Sequence, residues 1–68
     1  MLSVVIPAFN EQEMVPAAAE QIDGILSRAG IPHELIFIDD GSRDATWAEI
    51  RAESEHRDTV RGVHFSRN

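Results

Sequence analysis

Two adjacent carboxylates are the most chemically suggestive feature of the sequence. Asp39 and Asp40 end an apolar run and precede Gly41 and Ser42, within the stretch HELIFIDDGSRDAT. Carboxylates of this kind accept hydrogen bonds from ribose hydroxyls or a base N–H, or bind a divalent cation. Gly41 allows a tight turn and a close approach of the backbone to a ligand. The same residues also suit an ordinary turn before a helix, and their spacing leaves both interpretations open.

A second polar cluster, PAFNE, runs from Pro7 to Glu11 after an earlier apolar run. Phe9 could stack on a base or belong to the core. Glu11 could contact a ligand or stand near a helix start, where the helix dipole favours an acid. Ligands of open parallel sheets bind at the carboxyl ends of the strands. If the two apolar runs are neighbouring strands, both polar clusters meet at one edge of the sheet.

The hydrophobic pattern around these clusters predicts the order β-α-β-α-β, and therefore a parallel sheet with helical crossovers. We expect strands at 2–9, 34–39 and 60–65, and helices within 13–30 and 41–57. Pro7 is expected to close the first strand, because proline cannot donate to a ladder. Asp44 is the predicted N-cap of the second helix, and Trp47 is expected to pack that helix on the sheet.

Three strands and two helices do not cover a sheet completely. In the order 3-2-1 both helices fall on one face, and in the order 2-1-3 each face has a single helix. The first two strands are nevertheless apolar throughout, as in strands buried on both faces. The sequence therefore predicts part of a larger α/β domain, or a second copy of the chain over the uncovered face.

Composition excludes several classes of protein. The chain has 68 residues, enough for one domain at most, and its net charge of −6 argues against a nucleic-acid partner. It has no cysteine, no glycine-rich dinucleotide or P-loop motif and no membrane-length apolar run. No signal peptide is recognised, and we expect a cytoplasmic location. The three histidines are expected to be structural or exposed; they are His33, His56 and His64.

The chain resembles the amino-terminal part of a family 2 glycosyltransferase of the GT-A fold. The resemblance rests on three pieces in order, SVVIPAFNEQE, ELIFIDDGSRDAT and VRGVHFSRN, which together cover nearly the whole chain. It implies that residues 1–68 are the nucleotide-binding, β-α-β-α-β portion of a Rossmann-like transferase domain. The ending FSRN resembles in particular the branch that transfers sugars to polyprenyl (dolichyl or bactoprenyl) phosphate.

The resemblance also implies roles for individual residues. The residues expected to line the nucleotide pocket are Pro7, Phe9, Glu11, Ile38 and Asp40. Those expected to support the turn are Asp39, Gly41 and Ser42. Phe9 stands where a tyrosine is common, so any contact from that hydroxyl is absent here.

By the same resemblance, the full-length protein is an inverting transferase that uses a UDP- or GDP-sugar at the cytoplasmic face of a membrane. Its Mg²⁺ or Mn²⁺ is held by an Asp-x-Asp motif that lies, in relatives, beyond the FSRN segment, and this chain contains no such motif. We therefore expect no catalytic residue and no metal ligand here, and an isolated segment without activity.

Two other interpretations stay open at this stage. A receiver-like signalling domain also has an acidic pair after an early strand, but it requires a further aspartate after the third strand. This chain has Ser66, Arg67 and Asn68 there. The other alternative is a non-catalytic α/β interaction module that dimerises through its uncovered sheet face.

Overall fold

A computed structural model of the chain describes residues 1–65 and contains the five predicted elements in the predicted order. The elements are β1 (Leu2–Ala8), α1 (Met14–Arg28), β2 (His33–Asp40), α2 (Thr46–His56) and β3 (Val60–Phe65). The strands are parallel and lie side by side in the order β1-β2-β3. The α/β prediction is therefore confirmed. Residues 66–68, which carry the SRN part of the FSRN motif, lie outside the described part of the chain.

The core lies between one face of the sheet and the two helices. Alternate residues of β2 point to this side, and Leu35 and Phe37 have no exposed surface. Val15 of α1 and Ile50 of α2 are equally buried and belong to the same cluster. Burial of each such side chain contributes about 1.5–3 kcal/mol, so these contacts are what hold the helices on the sheet.

The opposite face of the sheet is covered by neither α1 nor α2. The helices contact each other and both contact β2, which puts them on one side. On the other side Val5 is 57% exposed and Phe65 is 52% exposed. Val5 lies in register with Ile36, which in turn lies beside Arg61. The incomplete cover expected for the order 3-2-1 is therefore confirmed.

The prediction that Pro7 ends the first strand was wrong. β1 continues to Ala8, and Pro7 lies in register with Ile38. Proline is tolerated in an edge strand, where its missing N–H can face away from the ladder, and β1 is an edge strand of this sheet.

A network of polar side chains joins the elements at the amino-terminal end of the sheet. His33 Nε2 lies 2.7 Å from Asp23 Oδ1, and His33 Nδ1 lies 2.7 Å from the carbonyl oxygen of Ile31. Thr59 Oγ1 and Arg57 Nη1 donate to the same Asp23 carboxylate, at 2.9 and 3.1 Å. Because both partners of His33 are acceptors, these contacts favour the imidazolium, in which both nitrogens of the buried ring carry hydrogen.

These contacts shift both titrating groups. The hydrogen bond from His33, helped by those from Thr59 and Arg57, lowers the pKa of Asp23 against the opposing effect of burial. The hydrogen bond to Ile31, with that to Asp23, raises the pKa of His33. The contribution of Asp23 to stability is therefore lost as the pH falls through its lowered pKa. The contribution of His33 is lost as the pH rises through its raised pKa.

We expect the free energy of unfolding to decrease as the pH rises through the raised pKa of His33. His33→Asn keeps a donor for the Ile31 carbonyl but does not titrate, so it should flatten this decrease. Chemical denaturation from about pH 5 to about pH 9 measures the effect. The exposed His56 provides the control, His56→Asn. A slope in the His33→Asn protein equal to that of the wild type would contradict the assignment.

Gly62 of β3 lies where α2 approaches the sheet most closely. A Cβ atom at this position would lie 2.6 Å from Ile50 Cγ2 and 3.0 Å from Trp47 Cζ3. We expect Gly62→Ala to lower the free energy of unfolding by about 1–3 kcal/mol, because the packed helix must move. Denaturant unfolding measures this.

Gly24 of α1 offers a matched control for Gly62. A Cβ there would meet the flexible guanidinium of Arg28, with Nη1 at 3.2 Å as the nearest atom. Gly24→Ala should therefore be neutral or stabilise the chain by up to about 1 kcal/mol, through its higher helix propensity. Equal effects of the two substitutions would contradict the close approach of α2.

Candidate functional site

Asp39 and Asp40 are adjacent in sequence but point to opposite faces of the sheet, because successive side chains of a strand alternate. Asp39 lies on the helix side and has no exposed surface. Asp40 is exposed on the uncovered side, where it lies in register with Phe65. The two carboxylates therefore occupy different environments and do not form one acidic pair.

A cavity of about 740 Å³ lies at the carboxyl ends of the strands. Its volume falls within the range of roughly 300–1,000 Å³ that is usual for small-molecule sites. It is lined by Pro7, Ala8, Phe9, Glu11, Ile38, Asp40 and Phe65. The structure thus brings together all five residues that the sequence analysis expected at a nucleotide pocket. Their contact with a nucleotide stays a prediction.

The lining of this cavity combines aromatic, apolar and acidic groups. Phe9 and Phe65 are about half exposed, at 49% and 52%. Ile38 is half-buried and adds an apolar side chain, and Asp40 and Glu11 supply carboxylates. Aromatic rings can stack on a planar base, and carboxylates can accept hydrogen bonds from hydroxyl and N–H groups. The arrangement suits a ligand with one flat apolar part and several donors.

Phe65 is a lining residue that the sequence analysis did not select. It ends β3 and lies in register with Asp40. Parallel strands end together, so the last residue of β3 reaches the same edge of the sheet as Pro7 and Asp40. The signal was present in the sequence once the third strand was recognised.

Asp39 is held by hydrogen bonds from the turn and from β3. Its Oδ1 accepts from the Ser42 backbone N–H, at 3.0 Å, and from the Ser42 hydroxyl, and its Oδ2 accepts from His64 Nδ1 at 2.9 Å. Burial acts to raise the pKa of Asp39, but the bonds from Ser42 and His64 outweigh it and lower that pKa. Gly41 makes the turn with a φ of 81°, in the left-handed region that glycine adopts without strain.

The loop after β1 is joined to the loop after β2 by reciprocal hydrogen bonds, which we call the loop clasp (residues 10–12 with residues 42–46). Asn10 N–H donates to Ser42 Oγ at 2.9 Å, and Arg43 N–H donates to Asn10 Oδ1 at 2.8 Å. Asn10 has a φ of 51°, which asparagine tolerates better than most residues. The clasp fixes the residue between Phe9 and Glu11, and with it one edge of the cavity.

The second half of the clasp centres on Thr46, which is fully buried. Its hydroxyl accepts from the Glu11 N–H at 2.9 Å and donates to Asp44. Gln12 both donates and accepts a hydrogen bond. Its N–H donates to Asp44 Oδ2 at 3.4 Å, and its Oε1 accepts from the Ala45 N–H at 2.9 Å. The start of α1 and the start of α2 are thereby joined.

Asp44 was predicted as the N-cap of the second helix, and its position differs by one residue. α2 begins at Thr46 and its N-cap is Ala45, which makes no side-chain cap bond. Asp44 instead accepts from the Thr46 hydroxyl and from the Thr46 N–H, at 2.9 Å. The hydroxyl bond is the main cause that lowers the pKa of Asp44. Asp44 therefore accepts hydrogen bonds from the first residue of α2, and it does so from the position before the N-cap.

Two negative findings concern residues 1–65. No group of three or more histidine, aspartate or glutamate side chains in this range could hold a metal ion. Neither helix that the structure describes has the length and apolar character needed to cross a bilayer.

Comparison with known proteins gives a consistent result. The model of the family described as glycosyl transferase family 2 matches residues 3–68. The chain is 34% identical to an uncharacterized glycosyltransferase of Bacillus subtilis, YkoT, over 100% of this chain and 22% of that protein. It is 41% identical to the undecaprenyl-phosphate 4-deoxy-4-formamido-L-arabinose transferase of Serratia proteamaculans, over 79% of this chain and 17% of that protein.

A third relative is a prophage bactoprenol glucosyl transferase homolog of Escherichia coli. It is 34% identical, over 98% of this chain and 22% of that protein. The chain thus spans between 17% and 22% of the length of these three curated relatives.

Removal of the Thr46 hydroxyl tests the loop clasp. Thr46→Val keeps the shape but leaves the Glu11 N–H without its acceptor, which we expect to cost about 1–3 kcal/mol in the free energy of unfolding. Thr46→Ser keeps the hydroxyl and should recover most of that loss. Denaturant unfolding, with hydrogen exchange of the Glu11 amide, measures both effects. Wild-type stability and exchange in Thr46→Val would show that the clasp contributes nothing.

Proposed function

The chain belongs to glycosyl transferase family 2, and we propose that it forms the nucleotide-binding part of an enzyme that takes a sugar from a nucleotide diphosphate sugar. Its three parallel strands and two helices are consistent with a portion of a GT-A, Rossmann-like domain. The observation that carries the proposal is the cavity at the carboxyl ends of the strands, because residues from both polar clusters line it together.

In this proposal different lining residues contact different parts of the nucleotide. The aromatic rings of Phe9 and Phe65 and the apolar side chain of Ile38 contact the base. Asp40 accepts hydrogen bonds from ribose hydroxyls or from a base N–H, as its exposed position on the cavity side allows. Pro7 and Glu11 complete the pocket at the end of β1.

The reaction that follows is a direct displacement. An acceptor oxygen attacks the anomeric carbon of the sugar, the bond to the nucleoside diphosphate breaks, and the configuration at that carbon inverts. The acceptor that we propose is a polyprenyl phosphate, because the names of two relatives specify undecaprenyl phosphate and bactoprenol. A lipid acceptor would place the full-length enzyme at the cytoplasmic face of a membrane.

The groups that perform the chemistry are assigned to no residue of this chain. In the full-length enzyme Mg²⁺ or Mn²⁺ would act as a Lewis acid on the departing diphosphate. Residues 1–65 offer no set of three ligands for such an ion. We therefore propose that this segment binds and orients the nucleotide, and that it has no transferase activity when isolated.

The uncovered sheet face favours one alternative function. Val5 and Phe65 expose more than half of their surface there, as expected of an interaction module that pairs with a second copy. Sedimentation equilibrium and thermal denaturation together test this alternative. A strictly monomeric chain that unfolds in a cooperative thermal transition would exclude it. The receiver-like alternative has no support from the family match, which covers residues 3–68.

Substitution of Asp40 tests the proposal directly. Asp40→Ala should weaken the binding of UDP or GDP to the full-length transferase roughly 10- to 100-fold, the usual effect of losing hydrogen bonds to a charged group. Isothermal titration calorimetry with UDP, GDP and dTDP measures it. Asp58→Ala, at an exposed acid before β3, is the control. If no nucleotide binds the wild type, or if Asp40→Ala binds equally well, the proposed function is wrong.

A further inference from the structure

We propose that His64 is a positioning residue for the nucleotide cavity, because it orients the buried Asp39 carboxylate and through it the loop after β1. His64 lines no part of the cavity itself. The inference rests on the proposed function, since the cavity edge that it controls is the one assigned to the nucleotide. It concerns donor binding rather than the displacement step.

The ring of His64 is held by two contacts of different kinds. Its Nδ1 lies 2.9 Å from Asp39 Oδ2, and its plane stacks on Trp47 with the ring centroids 4.7 Å apart and 23° between the planes. Asp39 is ionised and can only accept, so the proton of this bond is on His64 Nδ1. The side chain is 36% exposed, and His64 is not part of the hydrophobic core cluster.

The hydrogen-bond directions then continue from Asp39 without ambiguity. The hydroxyl of Ser42 has one hydrogen, and Asp39 Oδ1 accepts it. The oxygen of that hydroxyl is therefore an acceptor for its other partner, the N–H of Asn10, at 2.9 Å. A rotation of the Asp39 carboxylate would release the Ser42 hydroxyl, and with it the bond to Asn10.

Asn10 is the link between this chain of hydrogen bonds and the cavity. It lies between Phe9 and Glu11, both of which line the cavity, and it has a left-handed φ of 51°. A non-glycine residue in that conformation depends on its surroundings to hold it there. The Asn10 amide bond to Ser42 is part of that support, so His64 acts on the cavity edge through Asp39, Ser42 and Asn10.

Two substitutions separate the donor of His64 from its ring. His64→Phe keeps an aromatic ring for Trp47 and removes the hydrogen bond to Asp39. His64→Asn removes the ring but retains a side-chain N–H at nearly the position of Nδ1. We expect His64→Phe to raise the Kd of UDP or GDP, and the KM of the sugar donor, roughly 10-fold with kcat little changed. His64→Asn should restore most of the affinity.

The measurements are made on the full-length transferase, with His56→Phe as the control at an exposed histidine. Wild-type nucleotide affinity in His64→Phe, together with a loss in Asp40→Ala, would overturn the role of His64 and leave the proposed function standing. Equal losses of affinity and thermal stability in His64→Phe and His64→Asn would also overturn it, since they indicate a purely structural residue. Failure of the wild type to bind any nucleotide would overturn both the role of His64 and the proposed function.

Discussion

The pleat of β2 is the constraint on which the site depends. Because neighbouring side chains of a strand point to opposite faces, the sheet separates two carboxylates that sequence places together. Asp39 is directed under the helices and loses all contact with solvent, while Asp40 is directed to the uncovered face and reaches the cavity. One strand thus supplies both an acid that faces the cavity and an acid that organises the structure behind it.

The burial of Asp39 explains much of what surrounds it. A carboxylate removed from water is stable only when several donors satisfy it, and here Ser42 and His64 provide them. Those donors come from the turn after β2 and from β3. The hydrogen bonds that satisfy the charge therefore also hold this turn against β3. At the other end of the sheet Asp23 has a similar role, with His33 as its partner. A hydrogen-bonded aspartate–histidine pair thus lies at each end of the small sheet.

Sequence patterns were sufficient for the elements and for the neighbourhood of the cavity. Hydrophobic periodicity located the three strands, and the rule that ligands bind at strand ends brought Pro7 and Asp40 to one edge. The loop clasp could not be predicted, because the bonds of Asn10 and Thr46 join residues more than 30 positions apart and depend on the register of β1 and β2. The effect of Pro7 was misjudged for a related reason, since edge position is a property of the sheet.

A structure of the full-length transferase with UDP or GDP bound is the most direct test of the different roles of Asp39 and Asp40. We predict that the base lies over Ile38, beside Phe9 and Phe65, and that Asp40 accepts a hydrogen bond from the ribose or the base. Asp39 should keep its bonds to Ser42 and His64 and should not contact the nucleotide. A nucleotide bound on the helix side of the sheet, or in direct contact with Asp39, would contradict the assignment of Asp40 to the nucleotide and of Asp39 to structural support.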